Sequence, residues 1–273
     1  MASLSPREIR GVCRRGEFSG PTAGLAPGFE QANLVMLPEA VAGDFKQFCE
    51  LNSQPCPLLE MTPAGVYEPQ CAPGADLRTD LPRYRVYARG KLIDQPTEVV
   101  KFCPSAGEML RCDQHDISLV SHHSPLVSIL LGCSFTFESV LLRADIPVRH
   151  LEQGRNVPMY RTGIACKPAG IFSGPMVVSM RPMTPAEADQ ARAITAGISR
   201  AHGAPIHIGD PAAIGITNLN HPEYGDAVAI RAGEVPVFWA CGVTPLEAIL
   251  RAKPELAIVH EPGHMFIADL KIA

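Results

Sequence analysis

The chain has 273 residues, 46% of them hydrophobic and 19% charged, with a formal net charge of −4. That length and apolar content support one large domain or two medium ones with sizeable cores. The weak negative charge and the lack of a basic stretch argue against nucleic acid, the apolar runs are too short to span a bilayer, and MASLSPREIRGVCRRGE lacks the apolar core of a secretory signal.

Ser5-Pro6-Arg7-Glu8 is a capping box with proline at the first helical position, and predicts a helix to about Arg15. GEFSGPTAGLAPGFEQ follows as a Gly/Pro-rich loop. Its GPTAGLA segment has the small residues of an anion cradle, without the lysine or glycine spacing of a nucleotide loop. ANLVMLPEA reads as the end of a strand, Ala40 to Leu51 as a helix and PLLEMTP as a short strand. RYRVYARGKLID alternates and turns at Arg89-Gly90, the pattern of a hairpin. Pro125 to Cys133 is an apolar strand, followed by a helix from Phe135 to about Arg143. VPMYRTGIAC and GPMVVSMRPM are strand-like on either side of a glycine-rich turn. Thr184-Pro185-Ala186-Glu187 opens a helix to about Arg200, with Ala188, Ala191, Ile194 and Ile198 on one face. PIHIGDP is a short strand, and AVAI, VPVFWA and LAIVHEPGHMFIADL complete the strand material. After VPVFWA the chain turns through Cys241-Gly242-Val243. Thr244 then reads as an N-cap, with Pro245 behind it and Glu247 closing the box.

Strands alternating with helices give an α/β class. The expected architecture is a mixed sheet with flanking helices in a larger domain, plus a smaller α+β domain. The larger domain takes residues 1–145 and 205–273 and carries the site; the smaller takes 146–204. The nine cysteines are odd in number and form no CxxC, which points to reduced thiols in a cytoplasmic protein. Base rates for soluble enzymes favour a homo-oligomer.

An internal echo runs through the chain. LLGCSFTFESVLL (130–142) and FWACGVTPLEAIL (238–250) align without gaps, pairing Cys133 with Cys241 and Thr136 with Thr244. Any two buried strand–turn–helix units share such a pattern; alternatively, the two form related half-sites presenting a cysteine each to one cleft. A thiol at a helix N-terminus is expected to have a lowered pKa. Two such thiols would suit proton removal and return at an amino-acid Cα, although cysteine also packs well as a small apolar residue. His264, after Gly263, could serve as acid or base, or as a structural histidine. Arg161 and Arg181 lie in apolar strands, where arginine grips a carboxylate of a ligand or of an internal Asp or Glu. His202, His207 and Asp210 share HGAPIHIGDP, but the two histidines fall on opposite faces of an extended segment. His260 and His264 are separated by Pro262-Gly263. Neither pair, nor His122-His123, makes a metal site. The residues alone therefore reach an α/β enzyme for a small acidic molecule.

Several strings taken together carry a family resemblance: SGPTAGLAPGFEQANLVMLP, QPCPLLE, TDLPRYRVYARG, GCSFTFE, AGIFSGPMVVSMRP, HGAPIHIGDPAAIGI, GEVPVFWACGVTP and PGHMFIAD. Over roughly Ser5 to Leu270 the chain resembles the D-glutamate cyclase family, whose bacterial members are described as hydro-lyases. YRTGIACKP departs from it, with Gly163 and Ala165 where the resemblance leads one to expect Asn and Pro. The resemblance implies cyclisation of D-glutamate to 5-oxo-D-proline with loss of water. Chemistry then suggests roles. Arg161 or Arg181 would hold the α-carboxylate, and His264 or Glu138 would take the amine proton. N–H groups around Cys133-Ser134 and Cys241-Gly242 would stabilise the oxyanion, with Thr244, His207 and Asp210 as further substrate contacts. No cofactor and no metal are called for. A racemase using both cysteines and a non-catalytic small-carboxylate-binding protein are the alternatives.

Overall fold

The computed structural model describes residues 4–103 and 125–272, so that Cys112 and the His122-His123 pair lie outside the described residues. A larger sheet contains β1 (Phe29–Pro38), β2 (Leu58–Met61), β3 (Tyr84–Ala88), β4 (Lys91–Asp94), β5 (Leu126–Gly132), β10 (Leu256–His260) and β11 (Phe266–Lys271). Its order is β2-β5-β1-β10-β3-β4, and β11 pairs with the other end of β1. A smaller sheet has the order β6-β7-β9-β8, with β6 at Met159–Ala165, β7 at Pro175–Met183, β8 at His207–Ile208 and β9 at Val235–Ala240. The helices are α1 (Pro6–Arg14), α2 (Glu39–Leu51), α3 (Phe135–Arg143), the single-turn α4 (Arg149–Glu152), α5 (Pro185–Ala196) and α6 (Thr244–Ala252).

The α/β class holds, and each described strand pairing is antiparallel. The larger sheet was expected to be mixed. A parallel neighbour needs a helix that returns the chain to the same sheet. Here β5 runs into α3 and on to β6 in the smaller sheet, while β9 runs into α6 and on to β10 in the larger one. The helices that looked like crossovers therefore carry the chain between sheets. Strands β8 and β9, grouped with the larger unit in the sequence reading, hydrogen-bond in the smaller sheet with β6 and β7.

Local signals account for most elements. Ser5 and Thr184 each accept the N–H of the glutamate three residues on, and both boxes close reciprocally. At the β3–β4 turn, Arg89 (φ 49°) and Gly90 (φ 76°) are both left-handed, which matches the twist of a two-residue hairpin. AVAI forms no strand. Side chains of Arg155 and Arg149 occupy the carbonyls of Ala227 and Ala229, which a ladder would need. Helix α5 stops at Ala196, short of Arg200, and a 3-10 turn over Ser199–Ala201 ends at left-handed His202 (φ 77°).

One apolar cluster draws on both sheets. Val35, Leu37, Ile129 and Leu131 come from the larger, Met159 and Val177 from the smaller, and Cys133 and Cys241 belong to the same cluster. Phe45 and Phe48 of α2 are completely buried in it, at roughly 2–3 kcal/mol each of transfer free energy. Among the described residues, no helix is long and apolar enough to cross a membrane.

Candidate functional site

The two cysteine turns have the same construction. Cys133 follows β5 and Cys241 follows β9, and each sulfur accepts the N–H two residues ahead, from Phe135 (3.5 Å) and Val243. Thr136 accepts the Gln31 N–H at 3.0 Å and faces the Gln31 carbonyl at 3.4 Å. Thr244 accepts the Val177 N–H at 2.9 Å and faces the Val177 carbonyl at 3.3 Å. The strand registers also correspond, with Ala32 opposite Gly132 and Val178 opposite Ala240. The gapless sequence echo therefore has a geometric counterpart: strand, cysteine, threonine brace to the neighbouring strand, helix.

Asn33 on β1 brings the turns together. Its Nδ2 donates to the Gly132 carbonyl at 2.7 Å and to that of Leu131 at 3.3 Å. A Cβ on Gly242 would lie 2.0 Å from the same nitrogen. Gly242 is thus required by close approach of Asn33, and the amide is wedged between the two turns. The N–H groups of Ser134 and Gly242 meet no acceptor among the described residues, which leaves two donors at helix starts.

A buried ionic cluster stands beside the turns. Arg181 on β7 is 0% exposed and Glu138 on α3 is 1% exposed. The guanidinium contacts Glu138 through Nε and Nη2, Ser179 through Nη1 (3.0 Å) and Ser134 through Nη2 (3.0 Å). Phe137 and Trp239 flank it, 5.1 and 5.5 Å from its carbon. His150 places Nε2 3.1 Å from Glu138 Oε1. Burial opposes the Glu138 charge, but His150 and Arg181 together outweigh it, and the carboxyl is held below its ordinary range. The cluster thus contains a fixed carboxylate that orients an imidazole and a guanidinium. It also ties α3, which follows the larger sheet, to β7 of the smaller.

The thiols differ from the expectation of low pKa. Burial pushes Cys133 well above 9.0, with the Phe135 N–H offsetting it in part and Cys241 and Glu138 adding to the rise. Burial likewise pushes Cys241 up to about 11, against a smaller opposing effect of the Val243 N–H. Desolvation of a thiolate here outweighs the helix terminus. Both cysteines are protonated at neutral pH, and burial opposes the thiolate that attack would need and proton donation would leave.

The other expected site residues divide. Ser134 and Arg181 join the cluster, and Arg181 takes an internal carboxylate. Arg161 also takes an internal partner, Glu247, at 2.8 Å, with its side chain 46% exposed. Thr244 is not an N-cap: its hydroxyl is bound to Val177, the cap position is Val243, and Glu247 turns to Arg161 and Tyr224. His264 faces the Pro262 carbonyl at 3.1 Å, with Glu261 and Arg83 as charged neighbours and burial lowering its pKa. No hydrogen bond or ion pair joins it to the cysteine turns among the described residues. His207 faces the Asp210 carbonyl at 2.7 Å and stacks on Phe238, while the Asp210 side chain accepts the Ala212 N–H. Each of those three is thus engaged with backbone of its own segment. His150 and Asn33 were missed; nothing in RHLE marks the first, whereas an amide inside apolar ANLVML marked the second. Among the described residues no group of three or more His, Cys, Asp or Glu is placed to hold a metal ion.

Glu138 lines a small cavity of about 50 Å³ between residues 24–29 and α3, lined also by Gln31, Phe135 and Leu151. Ligand pockets commonly measure some 300–1,000 Å³, so an amino acid would require the loop to shift.

Residues 127–269 match the D-glutamate cyclase family. The chain belongs to that family. The match contains both cysteine turns, Glu138, His150 and Arg181. A protein of Rubrobacter xylanophilus named "Putative hydro-lyase" is 52% identical over 274 residues, covering 100% of this chain and 98% of its own. One of the same name from Stutzerimonas stutzeri is 50% identical, covering 98% and 94%. One from Bordetella pertussis is 53% identical, covering 94% and 86%. This naming within the family supports a lyase at the general level. A nitrogen repressor-like protein of Methanococcus jannaschii superposes with a TM-score of 0.38 at 8% identity, over 96% of this chain and 97% of that one, too loosely to define a shared fold.

Proposed function

We propose that this chain cyclises D-glutamate to 5-oxo-D-proline with loss of water, at the junction of the two cysteine turns. The observation that supports this best is the pairing of two protonated thiols and two free N–H donors with a buried Glu138–His150 pair. Family membership supplies the reaction class.

In the reaction, the substrate ammonium must lose two protons and the departing γ-carboxylate oxygen must gain two, so no net acid or base is consumed. His150, oriented by Glu138, accepts from nitrogen. A thiol, Cys133 or Cys241, donates to the departing oxygen and is restored from the imidazole. The Ser134 and Gly242 N–H groups stabilise the tetrahedral oxyanion. Arg181, fully engaged inside the protein, holds Glu138 ionised and Ser134 in place and does not grip the substrate. Because amine and carboxyl belong to one molecule, the protein's contribution is to select the folded conformer and arrange charge.

The test is proton NMR of the protein with D-glutamate in D₂O, beside L-glutamate and 5-oxo-D-proline. Formation of 5-oxoproline from the D isomer with its Cα proton retained is the expected result. Cys241 raises the pKa of Cys133, which keeps the racemase reading in view; it needs a resident thiolate rather than one formed in passing, and predicts loss of the Cα proton signal instead. Thermal stabilisation by D-glutamate without turnover would indicate a binding protein.

A further inference from the structure

Cyclisation at the cysteine turns needs a cation for the α-carboxylate, and Arg181 is closed in by Glu138, Ser134 and Ser179. Arg161 on β6 is differently placed. It stands opposite Val177 on β7, and Cys241, on the far side of β7, donates its N–H to the Val177 carbonyl at 3.0 Å. Val177 and Cys241 lie in the same apolar cluster. Directly opposed residues share a face of a sheet, so Arg161 emerges on the face that carries Val177 and the Cys241 turn. Two strand spacings, about 10 Å, separate the Cα atoms of Arg161 and Cys241.

The guanidinium is fixed at the start of α6, the helix that the Cys241 turn opens. Its Nε lies 2.8 Å from Oε1 of Glu247, in the first turn of that helix, and its carbon lies 5.9 Å from the centre of the Tyr224 ring. The Tyr224 hydroxyl donates to the same Glu247 oxygen at 2.5 Å. Contact through Nε determines what remains for a ligand. Arg10, Arg14, Arg85 and Arg149 each give an Nη to a carboxylate. Arg161 hydrogen-bonds neither Nη to a carboxylate among the described residues, and its side chain is 46% exposed. The two Nη groups therefore form an oriented, accessible fork of the kind that takes a carboxylate bidentately. Glu223 accepts the Arg161 backbone N–H at 3.1 Å, but it is exposed and its charge is screened by water.

We propose that Arg161 holds the α-carboxylate of the amino-acid substrate through its two Nη groups, aimed by Glu247 and Tyr224. This rests on the cyclisation proposed above and supplies the carboxylate partner that Arg181 cannot. The α-carboxylate stays at the exposed margin, while the γ-carboxyl reaches the free Gly242 N–H at the turn.

The experiment is calorimetric binding of D-glutamate and of γ-aminobutyrate to the wild type, Arg161→Gln and Arg161→Lys, with 5-oxoproline formation followed on the same samples. γ-Aminobutyrate keeps the amine and the far carboxyl and lacks the α-carboxylate. Arg161→Lys keeps a charge beside Glu247 and removes the fork, which guards against loss of folding in Arg161→Gln; melting temperatures check both. The wild type should prefer D-glutamate by roughly tenfold or more, and both variants should lose most of that preference while binding γ-aminobutyrate as the wild type does. A merely structural role would weaken both ligands alike, and that result would overturn the proposal, as would a wild type with no preference for D-glutamate. Undiminished 5-oxoproline formation and D-glutamate binding in both variants would overturn the grip and leave the cyclase reading standing. Loss of the preference in the variants, with no 5-oxoproline formed by the wild type, would overturn the cyclase reading and support the grip.

Discussion

Acidification between pH 7 and pH 5 is expected to destabilise this protein through two histidines. His202 and His260 are buried, each has Nδ1 against backbone, and each has an Nε2 without a partner. Burial lowers both from 6.5 to about 4, the backbone contact opposing it only in part. The unfolded chain therefore binds more protons than the folded one in this window. The stability contribution is complete above pH 6.5 and is lost progressively as the pH falls toward 4. For a shift of this size, each histidine loses about 2 kcal/mol between pH 7 and pH 5, or about 4 kcal/mol for the pair. His264, lowered mainly by burial, adds in the same direction; Glu30, raised by burial, opposes it. Most of the lowered carboxylates titrate below the window. The assay is urea unfolding followed by the fluorescence of Trp239, the single tryptophan, at half-unit pH steps. The double variant His202→Asn/His260→Asn should show a much flatter profile. A wild-type profile that is flat from pH 7 to 5, or an equally steep one in the double variant, would refute the reasoning.

Gly242→Ala should lose about 2–4 kcal/mol in denaturant unfolding, because its Cβ would displace Asn33 from the Gly132 and Leu131 carbonyls. Glu138→Gln leaves Arg181 buried beside a neutral amide; a loss of about 3–5 kcal/mol is expected, together with loss of 5-oxoproline formation. Cys241→Ser should unfold within about 1 kcal/mol of wild type while slowing turnover at least tenfold; full turnover would remove this thiol from the chemistry and leave only the N–H donors. Thr244→Val removes the brace to Val177 and should cost about 1–3 kcal/mol by thermal unfolding.

What could be read from the sequence was mainly what is local. The Ser5 and Thr184 boxes act within one helical turn, and nothing distant competes for their hydroxyls. Thr244 carries the same pattern, but β7 claims its hydroxyl, an interaction across 67 residues. The strands β5 and β9 were visible as apolar runs, yet their destinations were not, because adjacency of strands is set by packing rather than by order along the chain. AVAI had a strand-like composition and lost its carbonyls to arginines 72 and 80 residues away. At the site, Cys133, Cys241, Ser134, Glu138 and Arg181 were all legible as candidates. Their partners were not, since the ion pair of Arg181 with Glu138 spans 43 residues and leaves no local spacing to detect. The acidity of the thiols was misjudged for a related reason: the helix start is a local feature, whereas the burial that overrides it comes from both sheets.

The exchange of strands between sheets also has a consequence for biosynthesis. The smaller sheet is drawn from one stretch, Met159 to Ala240, and can pair as soon as that stretch has left the ribosome. The larger sheet cannot. Its central strand β1 is made early, but β10 and β11 are made after all of the smaller sheet. Until then one side of a ten-residue, almost wholly buried strand has no partner. Such late closure gives high contact order and a long-lived exposed edge, the condition under which nascent chains need chaperones or aggregate. Released chains truncated after residue 245 should thus present β1 to solvent while β6–β9 are already protected from proteolysis.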